Sequence, residues 1–289
     1  MKIILSRKGF DAKNGGQASP ILPDGTLLSL PIHVSQDKML TYEQLSYTGK
    51  TYQSIIEELK YSRYQKQKSS LSSGETSFCH LDPDIRKEVL PREKVWKAAF
   101  GQCNAAQGHL INKRVTKGDI FLFFGWFRQT EEINGQFCYK KNSPDLHVLY
   151  GYLQIGEIYD GPPFPGYIQS HAHAQSAYRI RKNNRIYVAS DSLALNPRLA
   201  GAGCFTYQPK QVTDHINLVL TKSGMTRRRW HLPEFFKDVD ISYHKNAFKE
   251  DHFLSVAQGQ EFVIECNDNL QDWTRRIIEL GCTQVINAA

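Results

Sequence analysis

The chain contains no run of 18 consecutive apolar residues, which excludes a membrane-spanning helix and leaves no membrane partner to expect. Its N-terminus, MKIILSRKGFD, has no small-residue cleavage signature after the short apolar run, so it reads as a first strand and not as a signal peptide. No C-x-x-C pair occurs. The six cysteines (Cys79, Cys103, Cys138, Cys204, Cys266, Cys282) are scattered, which fits reduced core thiols of a cytoplasmic protein better than a disulfide framework or a thiolate metal site. A Walker A loop and a G-x-G-x-x-G turn are both absent, as are a G-x-S-x-G elbow and the H-x-E with P-C-x-x-C spacing of zinc deaminases. Those absences exclude the best-known nucleotide, hydrolase and deaminase signatures. Internal repeats and a clean linker are missing too, so residues 1–289 read as one domain.

What is present organises around Thr116–Ile158. TKGDIFLFFGWFRQ holds a nearly unbroken apolar run, Ile120–Phe127, too short for a membrane and suited to a strand buried on both faces. Lys117-Gly118-Asp119 is a turn signal before it. DLHVLYGYLQIGEI predicts a second strand, with Gly151 marking a bulge or a close backbone approach. The polar stretch Gln129–Asp145 is expected to join them as a long hairpin loop. The implied architecture is α+β: a central twisted, mostly antiparallel sheet or partly open barrel with helices packed around it. Apolar spacing predicts helices over Thr51–Tyr64 and Glu93–Asn112. The C-terminal region is expected to run strand, helix, strand, with Asp268 or Asn269 as helix cap and Gly281 just past the helix end.

Polar residues leaving the sheet mark the places where function is expected. Arg128 and His147 stand at its ends. Arg7, Lys8 and Asp11 follow the first strand, in a glycine-rich turn, with the cations placed to hold phosphate. His171-Ala172-His173 is the most metal-like element, because alternate residues of an extended chain point the same way. His80, Asp82 and Asp84 share that alternate spacing. His80, His171 and His173 are therefore candidate ligands of a divalent metal, while Asp11, Asp82, Asp84, His171 and His173 are candidates for acid, base or ligand roles. Arg86 adjoins the acidic pair as a substrate contact. Gln102, placed with Asn104 on the predicted helix, offers an amide to a base edge. Trp126, Phe127 and Tyr150 have the composition of a stacking platform, though core packing explains them more simply.

The formal charge is +7, and it is clustered. Three basic runs are interleaved with aromatics or amides: Lys60–Lys68, Arg179–Arg185 and Arg227–Trp230. Cations beside stackable rings suit a phosphate backbone with exposed bases, so DNA or a nucleotide is the expected partner.

Taken together, SRKGFD, SPILPDGTLLSLPI, CHLDPDIR, FGQ, GDIFLFFGWFR and HAH resemble the bacterial nucleotide modification associated domain 3 family over nearly the whole chain. That resemblance implies participation in DNA base modification in phage and defence settings, without a reaction to transfer. Locally, GDIFLFFG and the glycine-containing strand after it resemble the barrel strands of base-binding PUA-like domains, which imply base recognition alone. Three readings stay open: a nucleotide or DNA base-modifying enzyme, a non-catalytic reader of modified bases, and a metal-dependent nuclease.

Overall fold

The computed structural model describes residues 1–34, 39–63, 77–209, 216–256 and 261–286. Nine strands form its main sheet: β1 (Lys2–Arg7), β2 (Ser19–Ile21), β3 (Ala99–Gln102), β4 (Ile120–Ile133), β5 (Gln136–Tyr139), β6 (Leu146–Tyr159), β7 (Arg185–Ala189), β8 (Ala202–Cys204) and β9 (Glu261–Glu265). The order across the sheet is β9-β1-β4-β6-β7-β3, with β2 and β5 also on β4 and β8 on β6. Pairing is antiparallel except where β1 and β2 run parallel to β4. The helices are α1 (Tyr52–Arg63), α2 (Asn104–Asn112), α3 (Ser176–Arg179) and α4 (Asp268–Ile286).

The expected mostly antiparallel α+β sheet is present, and it is not a closed barrel. It is nevertheless strongly coiled. Phe100 on the edge strand β3 packs its ring 4.8 Å from Phe121 and 5.4 Å from Phe123 of β4. Gln102 at the end of β3 reaches Glu261 at the start of β9, the opposite edge. The two edges thus meet through side chains and not through a backbone ladder. The other face of β4 is also covered, since Phe124 packs against Trp230 and Phe262. Burial on both faces is why β4 reads as an unbroken apolar run and not as an alternation.

Three expectations about β4 and β6 meet different outcomes. Gly118 takes φ +87° in the turn before β4, as its sequence suggests. The register of β6 on β4 shifts between Leu149 and Gly151, and a Cβ on Gly151 would lie 2.5 Å from Ile85 Cδ1, so the bulge and the close approach are both there. The long hairpin loop is not. β4 continues to Ile133, and Asn134-Gly135, both at positive φ, turns it back into β5. Asn-Gly is the preferred two-residue hairpin pair, because both residues tolerate left-handed backbone at little cost.

The stripe Tyr52, Ile55, Ile56 and Leu59 of α1 is buried in a second apolar cluster with Phe10, Tyr42 and Leu45. The predicted helix over 93–112 is divided: Ala99–Gln102 is strand β3, and only Asn104–Asn112 is helical. All four residues of β3 are buried, so they carry no period-2 signal to compete with the helical spacing. Residues 216–220 lie beside β6 through an isolated bridge, Val148 to Val219, and not as a strand. α4 runs unbroken through Gly281 to Ile286, replacing the expected final strand. Gly281 serves close packing and not termination, for its Cβ would sit 2.3 Å from the Phe205 ring. The side chain capping α4 is Asn267, whose Oδ1 accepts from the Leu270 N–H at 2.9 Å. All six cysteines are free thiols. Among the described residues no helix is long and apolar enough to cross a membrane.

Candidate functional site

β1 ends at Arg7, and Lys8 N–H still bonds Phe124 O at 2.9 Å before the chain leaves the sheet. Gly9, at φ +80°, then turns the backbone close to Ser29. This turn, the end of β3 and the segments around residues 80 and 173 enclose a cavity of about 190 Å³. Arg7, Lys8, Asp11, His80, Asp82, Gln102 and His173 all line it, so three sequence segments singled out above converge.

Asp82 is the hinge of the arrangement. One carboxylate oxygen, Oδ1, accepts from Gly101 N–H at 2.7 Å and lies 3.4 Å from His171 Nε2. The other, Oδ2, lies 3.9 Å from His80 Nε2 and 3.9 Å from His173 Nε2. Burial by itself would raise this carboxyl. The close contact with His171 Nε2 and the electrostatic influence of the His173, His80 and His171 rings outweigh burial and hold it well below the usual carboxylate range, so Asp82 is an anion.

The two histidines of the HAH segment are not in an extended chain. His171 caps a short 3-10 turn, Ala172–Ala174, that contains His173. His171 Nδ1 accepts the His173 N–H at 3.2 Å, so Nε2 is the protonated nitrogen that faces Asp82. His173 Nδ1 stands 2.7 Å from Asn184 Oδ1, and the same amide donates from Nδ2 to His173 O at 2.9 Å. The amide orientation makes Nδ1 the donor and turns Nε2 of His173 toward Asp82 Oδ2. Burial lowers His173 to about 3, which keeps the ring neutral near pH 7. Gly101 makes the close packing possible, since a Cβ there would lie 2.2 Å from His173 Cγ. His80 completes the group, stacked on Tyr178 with centroids 4.6 Å apart. His171 itself lies behind this cluster and opens on a neighbouring cavity of about 330 Å³ with Asp84, Arg92, Trp96 and Tyr167.

The other candidates fall into two groups. At the cavity, Asp11 accepts from the N–H groups of Lys13 and Asn14 at 2.7 Å, which makes it chiefly the acceptor that closes its own turn. Lys8 pairs with the buried Glu261 at 2.9 Å, and Gln102 donates to the same carboxylate at 2.7 Å while accepting from Cys103 N–H at 3.0 Å. Both are therefore committed within the protein. Gln102 also ends a strand, where the sequence suggested a helix face.

Asp84, Arg86, Arg128 and His147 do not line the cavity. Asp84 is held by both terminal nitrogens of Arg92, at 2.8 and 2.5 Å, and pairs through its backbone with Ala99. Arg86 donates to Glu88 at 2.9 Å and to Leu27 O at 3.1 Å. Arg128 donates to Ser143 at 3.1 Å beside the Tyr139 ring. His147 is core: it accepts from Trp230 Nε1 at 3.0 Å, and burial, followed by the charges of Arg227, Arg7 and Arg228, lowers it to about 3. The side chains of Trp126, Phe127 and Tyr150 are buried and form no open platform.

The sequence reading gave no site role to Glu261, Tyr178 or Gly101, although Gly101 lies in the FGQ motif. It did flag Arg181 and Asn184, but only as members of a basic run. Arg181 lines the cavity and stacks 4.1 Å over Tyr178. Of the third run, Arg227 lies 4.1 Å over Trp126, and both Arg227 and Arg228 act electrostatically on Arg7, which burial chiefly pulls below its usual value. Most of the first run falls in 64–76, outside the described residues.

The profile described as nucleotide modification associated domain 3 matches residues 2–265. No curated protein and no solved structure matches the chain.

Proposed function

The chain belongs to the nucleotide modification associated domain 3 family, and from that premise we propose that it is an enzyme modifying a base of a nucleotide or of DNA, with its reaction centre in the cavity over Asp82. The observation that carries this reading is the ionised Asp82, its side chain 5% exposed, set among three imidazoles and lining, with His80 and His173, a cavity that also holds Arg7, Lys8 and Arg181. Packing does not require such a group. A buried carboxylate with several titratable neighbours in a concave site has the chemistry of an acid–base centre.

Arg7 and Arg181 line the cavity and would receive phosphate, with Arg227 and Arg228 adding positive potential at Arg7. Asp82, oriented by Gly101 and His171, is the fixed negative charge that acts as electrostatic partner of the reacting group. At about 190 Å³ the cavity is smaller than the ~300–1,000 Å³ of drug-sized ligand sites. It suits one base or sugar and not a paired duplex, so a DNA substrate would present an extruded or single-stranded base.

The test is nucleoside mass spectrometry of DNA and RNA from cells expressing the wild type or Asp82→Asn, beside oligonucleotide binding by both purified proteins. A nucleoside of altered mass with the wild type alone, and binding kept by Asp82→Asn, supports the proposal. Binding without any mass change supports the base reader. Nicking of plasmid by the wild type supports the nuclease.

A further inference from the structure

We propose that His80 Nε2, Asp82 Oδ2 and His173 Nε2 form a binding site for one divalent first-row transition metal ion, with His171 and Asn184 as positioning residues. The inference concerns the same cavity as the proposed reaction centre and deepens that reading, but metal binding is measurable with no nucleotide present.

The candidate ligand atoms of the three residues all lie within 4.8 Å of one another. Two features make the group more than a coincidence of polar side chains. The first is orientation. Asn184 engages His173 Nδ1 at 2.7 Å, and this contact turns Nε2, on a ring that is 2% exposed, toward a carboxylate oxygen 3.9 Å away. With the Nδ1 proton given to Asn184, two acceptors face each other in a buried space, and a cation between them resolves the conflict. The second is a division of labour on Asp82. Gly101 N–H donates to Oδ1 and His171 Nε2 lies 3.4 Å from it, while Oδ2 is the oxygen presented to His80 and His173. An outer partner on a ligating imidazole and another on a ligating carboxylate are the usual supports of a metal site, fixing tautomer and rotamer before the ion arrives.

Donor chemistry narrows the ion. Two imidazoles and one carboxylate suit zinc, iron(II), cobalt(II) or manganese(II), and are too nitrogen-rich for calcium or magnesium. Ligand atoms held at ~2.0–2.2 Å from one ion stand roughly 3–3.5 Å apart. The two 3.9 Å separations therefore close by under about 1 Å on binding. Three protein ligands would leave coordination positions open, and all three line the cavity together with Arg7 and Arg181. An ion here would serve as Lewis acid to a group held by those arginines.

The experiment strips the full-length protein with chelator and titrates it with cobalt(II), read by calorimetry and by the visible absorption of bound cobalt. The expected result is saturation at one ion per chain, with His173→Ala and Asp82→Asn each abolishing it. His171→Phe should keep the stoichiometry and weaken affinity ~10–100-fold, as loss of an orienting partner does. His33→Ala, on an exposed histidine, should change nothing. Circular dichroism and thermal melting establish that each variant is folded. Should His173→Ala fail to fold, His80→Gln answers the same question. Absence of saturable binding by the wild type overturns the proposal, as does unchanged one-to-one binding by folded His173→Ala or His80→Gln. If metal binds as expected and no nucleoside is altered, the base-modification reading fails and the metal site stands.

Discussion

Gly101→Ala is the sharpest single perturbation of this site, because it replaces a hydrogen with a methyl group at a place where the geometry leaves no room. The new Cβ would lie 2.2 Å from His173 Cγ, 2.3 Å from Cδ2 and 2.7 Å from Cβ. Real contacts of this kind begin near 3.4 Å, so the imidazole must retreat by more than about 1 Å. It has nowhere equivalent to go. The tilted ring of Tyr178 lies 4.5 Å from its centroid, His80 lies 5.2 Å away, and Asn184 holds Nδ1. The strand conformation at Gly101 is open to alanine, and its N–H still donates to Asp82, so the damage falls on the ring. Overpacking of this size costs about 1–3 kcal/mol. At ~2–4 °C per kcal/mol, Tm should fall by several degrees while the protein stays folded. A displacement of ~1 Å in a positioned group can cost ~10²-fold in function, so cobalt(II) affinity and turnover should each drop at least ~10-fold. Gly166→Ala, where nothing lies within 4 Å of the added carbon, is the matched control. Wild-type cobalt affinity in folded Gly101→Ala would refute the claim that His173 must stand where it does.

Four further outcomes are expected. Lys8→Met strands the Glu261 carboxylate, whose side chain is 1% exposed, and should cost ~3–5 kcal/mol in chemical denaturation; pairing it with Glu261→Gln should recover much of that, and equal stability of the single variant and wild type would discard the ion pair as a stabilising element. His147 is held at about 3 in the folded protein against an ordinary 6.5, so the unfolded chain takes up a proton first as pH falls, and stability drains away by ~1.4 kcal/mol per pH unit below about 6.5. His147→Gln, which does not titrate, should lose less Tm than wild type between pH 7 and pH 5, and parallel pH profiles would refute the assignment. Oligonucleotide affinity should fall on a log–log salt plot with a slope of about −0.7 to −0.9 per phosphate contacted, and replacing Arg227, Arg228 and Arg229 together should flatten it; a salt-independent affinity would remove the phosphate reading. Thiol titration of the denatured protein without reductant should find all six cysteines, and fewer than five would contradict the free thiols seen here.

Some of this is legible in the sequence alone. The turn at Gly118, the paired strands β4 and β6, the bulge at Gly151 and the buried stripe of α1 follow from local signals: glycine's freedom, an apolar run, a 3.6-residue period. Where local rules misled, two patterns were compatible with one stretch. Residues 93–112 carry helical spacing, yet a strand buried on every side, β3, imposes no alternation to contradict it. Gly281 looks like a helix terminator, and it is instead the small residue that admits the Phe205 ring.

The residue types of the site, His80, Asp82 and the HAH pair, were set apart by sequence because no apolar period explains them. Their assembly was decided only by tertiary structure. Asp82 meets His171 across 89 positions and Lys8 meets Glu261 across 253, and no local propensity acts over such distances. The coiling of the sheet brings β3 to β9, and the Gly101 N–H of β3 holds one oxygen of Asp82. The same coiling buries His147 against Trp230 and leaves Arg128 beside Tyr139, away from the cavity, although in sequence they looked no different from His173 and Arg7. A side chain's chemistry is written in one residue, whereas its neighbours, and hence its charge state and use, depend on how distant strands pack.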